Sequence, residues 1–334
     1  MKKNLLIIIT GIILIFSLYV IAELLIPLPF GNRAIEFEVR RGQTYREVIN
    51  SLSEKGIIRD RNIFLIIGRL TGLDKKIKAG YYPLWGNMTP LQIFDALRKG
   101  RIIEYEITVV PGDSLLEIGK KFSALGIIDT EQFERISKDK AFLASLDIDA
   151  PSIEGYLFPD TYRFPKGLEI KEILIIMVER LREKFNEEML MRAFELGMSE
   201  REVLTLASII EKEAVEDGER PIISAVYHNR LRKNMPLQAD PTSIYGIKSS
   251  KEIITKRDLL RKTPYNTYII KGLPPGPIAS PGLESIMAAL YPENVPYLYF
   301  VSNNDGTHKF SVTLNEHEKA VKIYRDKKKA GIEG

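Results

Sequence analysis

Few side chains in this sequence can carry covalent or acid–base chemistry. Cysteine is absent, and histidine occurs three times, at His228, His308 and His317, none in an H-E-x-x-H or comparable ligand spacing. Thiol nucleophiles, disulfides and Cys-based zinc or iron–sulfur sites are thereby excluded, and no metal or other cofactor is expected. G-x-S-x-G does not occur, and the only S-x-x-K, Ser137 to Lys140, lies in a charged stretch, which leaves little support for a peptidase or acyl transferase. Carboxylates remain, and Glu211 stands out among them.

Ser199-Glu200-Arg201-Glu202 has the form of a capping box, with Ser199 as N-cap and Glu202 three residues on. The helix it opens reads VLTLASIIEKEAV over 203–215. At about 100° per residue, Glu211 falls between Ala207 and Leu204 inside the apolar arc, whereas Lys212 falls on the opposite face. A carboxylate directed into apolar surroundings has a raised pKa and can stay protonated near neutrality, as a general acid must. The same position also suits a buried glutamate neutralised by an arginine, or one at a domain contact. Glu213 lies roughly 200° further round the helix, so the two glutamates are not expected to form a catalytic dyad.

The elements that must hold this helix follow from the surrounding pattern. From about Lys166 a helical stretch runs from Glu169 to Leu196 and closes at Gly197. The capped helix comes next, then another helix, a turn-rich region, a hairpin and a basic terminal helix. Upstream lies an internal repeat: FEVRRGQTYREVINSLSEKGIIRD from Phe37 and ITVVPGDSLLEIGKKFSALGIIDT from Ile107 align at an offset of 70 (107 − 37 = 70). Each copy predicts a short strand, a Gly turn, an amphipathic helix and Gly-Ile-Ile, followed by a Gly-Tyr pair (Gly80-Tyr81, Gly155-Tyr156) leading into another strand. The second copy, V-x-P-G-D-S-L-x-E-I, resembles a LysM module, a small fold associated with N-acetylglucosamine polymers. The first copy lacks the Pro and the Asp. Glycan contact by the modules and a purely structural spacer role are both open.

At the N-terminus, Lys2 and Lys3 precede an uncharged run from Asn4 to Ala22. Nineteen helical residues span roughly 28 Å, close to the hydrocarbon thickness of a bilayer. A membrane anchor is expected, ended by Pro27 and Pro29, with the lysine side cytoplasmic and the bulk of the chain beyond the membrane. A signal peptide cut after Val20-Ile21-Ala22 is the rival. The remaining composition, 45% hydrophobic and 28% charged with a net charge of +4, fits folded domains and offers no dense basic face for nucleic acid. The fold class expected is α+β, with an anchor (1–30), two LysM-like α/β modules (31–103 and 104–165) and a mixed α+β catalytic domain (166–334).

Several segments, LASIIEKEA, VYHNRLRKNMPLQADPTSIYG, PYNTYIIKGLPPGPIASPG and YLYFVSNNDGTHKFSVTLNEH, together resemble the endolytic murein transglycosylase (YceG-like) family, in order and spacing over 199 to about 324. The resemblance implies a lytic transglycosylase that cuts the β-1,4 bond between N-acetylmuramic acid and N-acetylglucosamine inside peptidoglycan strands, leaving 1,6-anhydro ends. It places the catalytic glutamate on Glu211. One carboxylate suffices for that reaction, because the sugar's own C6 hydroxyl attacks C1, whereas a hydrolase needs a second. Gln238, Asp240 and Thr242, in a Pro-bounded turn, together with Tyr245, Tyr265, Asn266 and Tyr268, are candidates to line a glycan groove, although a cap or core role fits each of them too. Gly272 to Pro277 reads as a rigid loop wall rather than a phosphate loop, since prolines lack the N–H groups a phosphate needs. Tethering would restrict the enzyme to strands near the bilayer, which implies nascent glycan and contact with the synthases that make it. An anchored, non-catalytic glycan-binding scaffold is the alternative.

Overall fold

The computed structural model describes residues 2–27, 34–75, 77–247 and 254–329. They form an α+β protein with two compact units, Met1–Glu106 with Arg163–Leu168, and Ile107–Tyr162 with Glu169–Gly334.

The first unit begins with helix α1 (Lys2–Leu25), whose segment Lys3–Leu25 has a mean hydropathy of 2.9 and is long and apolar enough to cross a membrane. Pro27 follows it, and Pro29 lies outside the described residues. Strand β1 (Ala34–Val39), helices α2 (Tyr45–Glu54) and α3 (Arg61–Thr71), and strand β2 (Gly80–Trp85) come next, before helix α4 (Pro90–Lys99). β1 and β2 pair antiparallel, with Phe37 opposite Tyr82 and Val39 opposite Gly80. Strand alternation sends Phe37, Val39, Tyr82 and Leu84 to one face, where they meet Val48, Ile49 and Leu52 of α2.

The chain passes between units within strands β3 (Glu104–Thr108) and β4 (Thr161–Pro165), which form a second two-stranded sheet. Between them lie helices α5 (Leu115–Ala124), α6 (Thr130–Ser137) and α7 (Lys140–Ser145). The repeat recurs in three dimensions. Thr44 with Glu47 and Ser114 with Glu117 make reciprocal capping boxes at the 70-residue offset (114 − 44 = 70). The turn before each helix needs a left-handed residue and has one, Gly42 (φ 78°) or Gly112 (φ 85°). The copies diverge at the Gly-Tyr pair: Gly80 opens β2, whereas Gly155-Tyr156 sits in a turn and β4 begins only at Thr161. Gly155 (φ 81°) has another duty, for a Cβ there would come within 2.3 Å of the Pro277 ring.

Residues 107–162 share one compact unit with Glu169–Gly334. Within it a reciprocal backbone bridge joins the two stretches, Gly112 N–H to Ser280 O and Ser280 N–H to Asp113 O, both 2.8 Å.

The helical stretch expected from Glu169 to Leu196 is two helices, α8 (Ile170–Lys184) and α9 (Glu187–Glu195). Phe185 leaves the helical region (ψ 79°), and Asn186 caps a fresh start by accepting the Met189 N–H at 3.0 Å. Helices α10 (Glu200–Glu213), α11 (Arg220–Arg232), α12 (Asp240–Ile244), α13 (Lys256–Leu259) and α14 (Leu283–Leu290) follow. An antiparallel hairpin, β5 (Tyr299–Ser302) with β6 (His308–Ser311), and the basic helix α15 (Leu314–Lys329) complete the described residues.

α10 is the central element, and here the one-sided helix predicted from sequence needs correction. Every residue from Val203 to Ile210 is buried, Thr205 and Ser208 included. Neither hydroxyl is stranded. Thr205 Oγ1 donates to Arg201 O (2.6 Å), and Ser208 Oγ donates to Thr205 O (2.7 Å) while accepting the Ile278 N–H (3.0 Å).

Candidate active site

α10 emerges from this packing at both ends, and at its last turn Glu211, Lys212 and Glu213 are partly exposed. The capping box at Ser199 and Glu202 fixes its start. It stops because Ala214 adopts an extended conformation (φ −73°, ψ 128°), leaving two carboxylates and an ammonium at the edge of a rigid core.

Glu211 is held at both oxygens. Oε2 accepts the N–H of Gly282, the N-cap of α14, at 2.9 Å, and Oε1 accepts from Arg220 Nη2 at 3.3 Å. The ion pair is nearly enclosed, the two side chains being 7% and 12% exposed. Arg220 is in turn fixed by Ser285 Oγ (3.0 Å) and by Asp217. This differs from the purely apolar setting of the helical wheel and has the geometry of its arginine-paired alternative, because Arg220 supplies a guanidinium and Gly282 a helix N-terminus where the wheel shows only hydrocarbon.

The second repeat copy supplies another wall. Lys212 Nζ donates to Gly112 O at 2.9 Å, in the Pro-Gly-Asp turn that opens α5. A Cβ on Gly112 would lie 3.6 Å from Lys212 Cδ and 3.9 Å from Glu211 Cγ, and one on Gly282 would lie 3.2 Å from Glu211 Oε2. The turn and the α14 N-terminus therefore close on the carboxylate from two sides, and glycine at 282 sets how near the backbone can come.

A comparison with known sequences decides the kinship, for the YceG-like family pattern matches residues 37–323. The chain belongs to the YceG-like family. It is 32% identical over 318 residues, 88% of this chain and 86% of the relative, to a Bacillus subtilis (strain 168) protein named endolytic murein transglycosylase. A Streptococcus pneumoniae (serotype 2, strain D39) protein of the same name is 25% identical across 92% of this chain, which spans 61% of that longer relative. The crystal structure of a YceG-like protein from Listeria monocytogenes superposes with a TM-score of 0.60 at 32% identity, covering 86% of this chain and 99% of the other.

The remaining expected residues of this YceG-like chain fall into four groups. Asp240 and Tyr268 lie beside Glu213: the Tyr268 hydroxyl donates to Asp240 Oδ1, and the Tyr227 hydroxyl donates to Glu213 Oε1 at 3.3 Å. Burial, reinforced by the Asp240 charge, pushes Glu213 up to about 8. Tyr245 and Tyr265 pack together, with ring centroids 4.5 Å apart, and the Tyr245 hydroxyl bonds Glu154 Oε2 at 3.0 Å. Gln238 is exposed at a left-handed position (φ 50°), with its Oε1 accepting from Arg230 at 3.2 Å.

Thr242 and Asn266 lie in the buried frame. Thr242 bonds Ala239 O and Thr267, while both Asn266 amide donors are taken by Leu259 O and Arg261 O and its oxygen accepts the Tyr268 N–H. Their polar atoms fix the loop that carries the tyrosines. The Gly272 to Pro277 wall is likewise packed inward, with Pro277 against Gly155.

Three participants escaped sequence reasoning. Arg220 was one basic residue among many. Gly282 sat inside the quoted PPGPIASPG segment without an assigned role. Glu154 stood one residue before a Gly-Tyr pair read only as a turn. Only the last two carried a local signal.

Proposed function

We propose that this chain is a membrane-anchored lytic transglycosylase that cuts murein glycan strands internally, with Glu211 as its acid/base residue. The observation that carries this proposal is the Glu211 carboxylate, fixed at both oxygens, at the emergent end of a buried helix. Membership of the YceG-like family, with two relatives named endolytic murein transglycosylases, supports the reaction class.

In the reaction, Glu211 gives a proton to the bridging oxygen as the β-1,4 bond breaks. The C6 hydroxyl of the same N-acetylmuramic acid then attacks C1, and its proton returns to Glu211. The anhydro bond replaces the glycosidic bond, and no water is consumed. Glu211 must exchange its Arg220 contact for a proton before the first step. Arg220 has Ser285 and Asp217 to retain it when that happens. The Gly282 N–H stays directed at the carboxylate and stabilises the charge that forms after proton donation.

The Pro-Gly-Asp turn beside Lys212 supports a LysM-like part for the second copy at the edge of the groove. Gln238, Asp240, Tyr245, Tyr265 and Tyr268 form groove walls, with Thr242 and Asn266 bracing them. The α1 helix tethers the protein with Lys2 and Lys3 on the cytoplasmic side, which restricts it to nascent strands and to the synthases that extend them. Digestion of purified glycan strands, with products analysed by mass, tests the activity: 1,6-anhydro ends are expected, and ordinary reducing ends would refute it.

A further inference from the structure

Lys212, the residue after Glu211, lines a partly open cavity of about 490 Å³ in the second unit. This volume is within the range of small-molecule sites. Leu116, Phe133, Ile244, Tyr245 and Tyr265 form much of its wall, and Glu154, only 2% exposed, also lines it. A fully buried carboxyl is expensive to keep, so its hydrogen bonds are informative.

Its oxygens accept the Leu115 N–H at 3.0 and 3.1 Å and meet the Tyr245 hydroxyl at 3.0 Å. In its neutral form the Glu154–Tyr245 pair owns two hydroxyl hydrogens. One lies in the bond between them, whichever residue donates it. The other has no acceptor among the hydrogen bonds of the described residues, and the cavity is the open space beside it.

We propose that this cavity is a sugar subsite for an N-acetylated hexosamine of the glycan, with the Glu154–Tyr245 pair donating one O–H to the acetamido carbonyl. The subsite rests on the glycan-cleaving function proposed above. The tilted tyrosine pair (40° between rings) gives a sugar face an apolar surface, and Leu116 and Phe133 face the space an acetyl methyl would fill. Lys212 lines the cavity and immediately follows Glu211 on the last turn of α10, so one helix end serves both the cavity and the proposed cutting site.

Burial pushes Glu154 up to about 7, against the pull of the Leu115 and Tyr245 hydrogen bonds. The charged groups around it are Glu117 on α5, Glu134 on α6, Lys138 just after α6, and Lys212 on α10, with Tyr265 on the facing loop. Above that pH the spare hydrogen is gone and a charge faces the acetamido carbonyl.

The test is calorimetric binding of the N-acetylglucosamine tetramer to the full chain in detergent, carrying Glu211→Gln to prevent turnover. A β-1,4-linked glucose tetramer serves as the control lacking acetamido groups. Raising the pH from about 5.5 to about 8.5 should weaken tetramer binding roughly five- to tenfold, the value of one hydrogen bond. Adding Glu154→Gln, whose amide donates at every pH, should remove that dependence, whereas Glu154→Leu should bind weakly throughout while keeping the same melting temperature trend with pH as Glu154→Gln. The glucose tetramer should show no pH preference. An equal pH dependence with and without Glu154→Gln, or equal binding of the two tetramers, overturns the subsite. Wild-type digests that yield anhydro ends alongside such a result would leave the cleavage function standing, while reducing ends would sink that function separately.

Discussion

Replacing Glu211 by Gln is the most direct perturbation of the site. The amide preserves shape and one acceptor for the Gly282 N–H, now at 2.9 Å. Its NH2 faces the Arg220 guanidinium, presently 3.3 Å from Oε1, so a donor meets a donor and the ion pair is lost. Breaking a buried pair costs about 3–5 kcal/mol when the surviving charge has no other partner. Arg220 retains Ser285 and Asp217, which lowers the expected cost to about 1–2 kcal/mol, or a melting temperature lower by about 2–8 °C. The activity loss is larger by far. General acid–base catalysis contributes ~10²–10⁴-fold, and one residue serving both proton transfers belongs at the upper end. The assay is the rate of anhydro-end formation from purified glycan strands, measured below the melting transition of each variant. Glu213→Gln serves as the comparison: Glu213 is pushed up to about 8, so an amide replaces a group already neutral at pH 7 and most activity should survive. A Glu211→Gln protein that cuts at the wild-type rate would falsify the assignment, and so would a Glu213→Gln loss equal to that of Glu211→Gln.

Asp240→Asn discriminates between mechanisms: it should mainly weaken substrate binding, whereas a loss matching Glu211→Gln together with reducing-end products would mark Asp240 as a nucleophile or base. Gly282→Ala puts a methyl 3.2 Å from Glu211 Oε2, and the resulting displacement of a few tenths of an ångström should lower the cleavage rate about three- to tenfold with little change in melting temperature; an unchanged rate would show that the α14 N-terminus does not position the carboxylate. Glu154 and Glu213 are raised from 4.5 to about 7 and about 8, so the folded state binds more protons than the unfolded state above pH 4.5. The stability they confer is complete below that pH and is lost as pH rises through about 7 and about 8, and melting curves of Glu154→Gln and Glu213→Gln should be flatter across this window than wild type. Finally, N-terminal sequencing of membrane-extracted protein should find α1 intact, and a mature chain beginning at Glu23 would replace the anchor with a cleaved signal.

What the sequence determined by itself was whatever depends on neighbours along the chain. The run from Asn4 to Ala22 has no polar face, so its helix and its fitness to cross a membrane are local facts. The capping boxes at Thr44, Ser114 and Ser199 are each written in four consecutive residues, and the glycines at 42 and 112 mark turns that need a left-handed backbone. The candidate glutamate was legible for the same reason, as an acid among the apolar positions of a capped helix. Its surroundings were not. A helical wheel gives direction and says nothing of what another segment brings there. Arg220, Gly282 and Gly112 reach Glu211 only because α11, α14 and the α5 turn pack around α10. The break at Phe185 and Asn186 was equally hidden, since apolar periodicity continues across it and only the cap geometry ends one helix and begins the next. Tertiary packing also decided which polar residues remain free to meet a ligand. Asn266 and Asp240 look alike in the sequence as polar residues in adjoining turns, yet one spends every hydrogen bond inside the loop and the other keeps an exposed carboxylate, because backbone groups left unpaired by the turns claim the nearest buried side chain first.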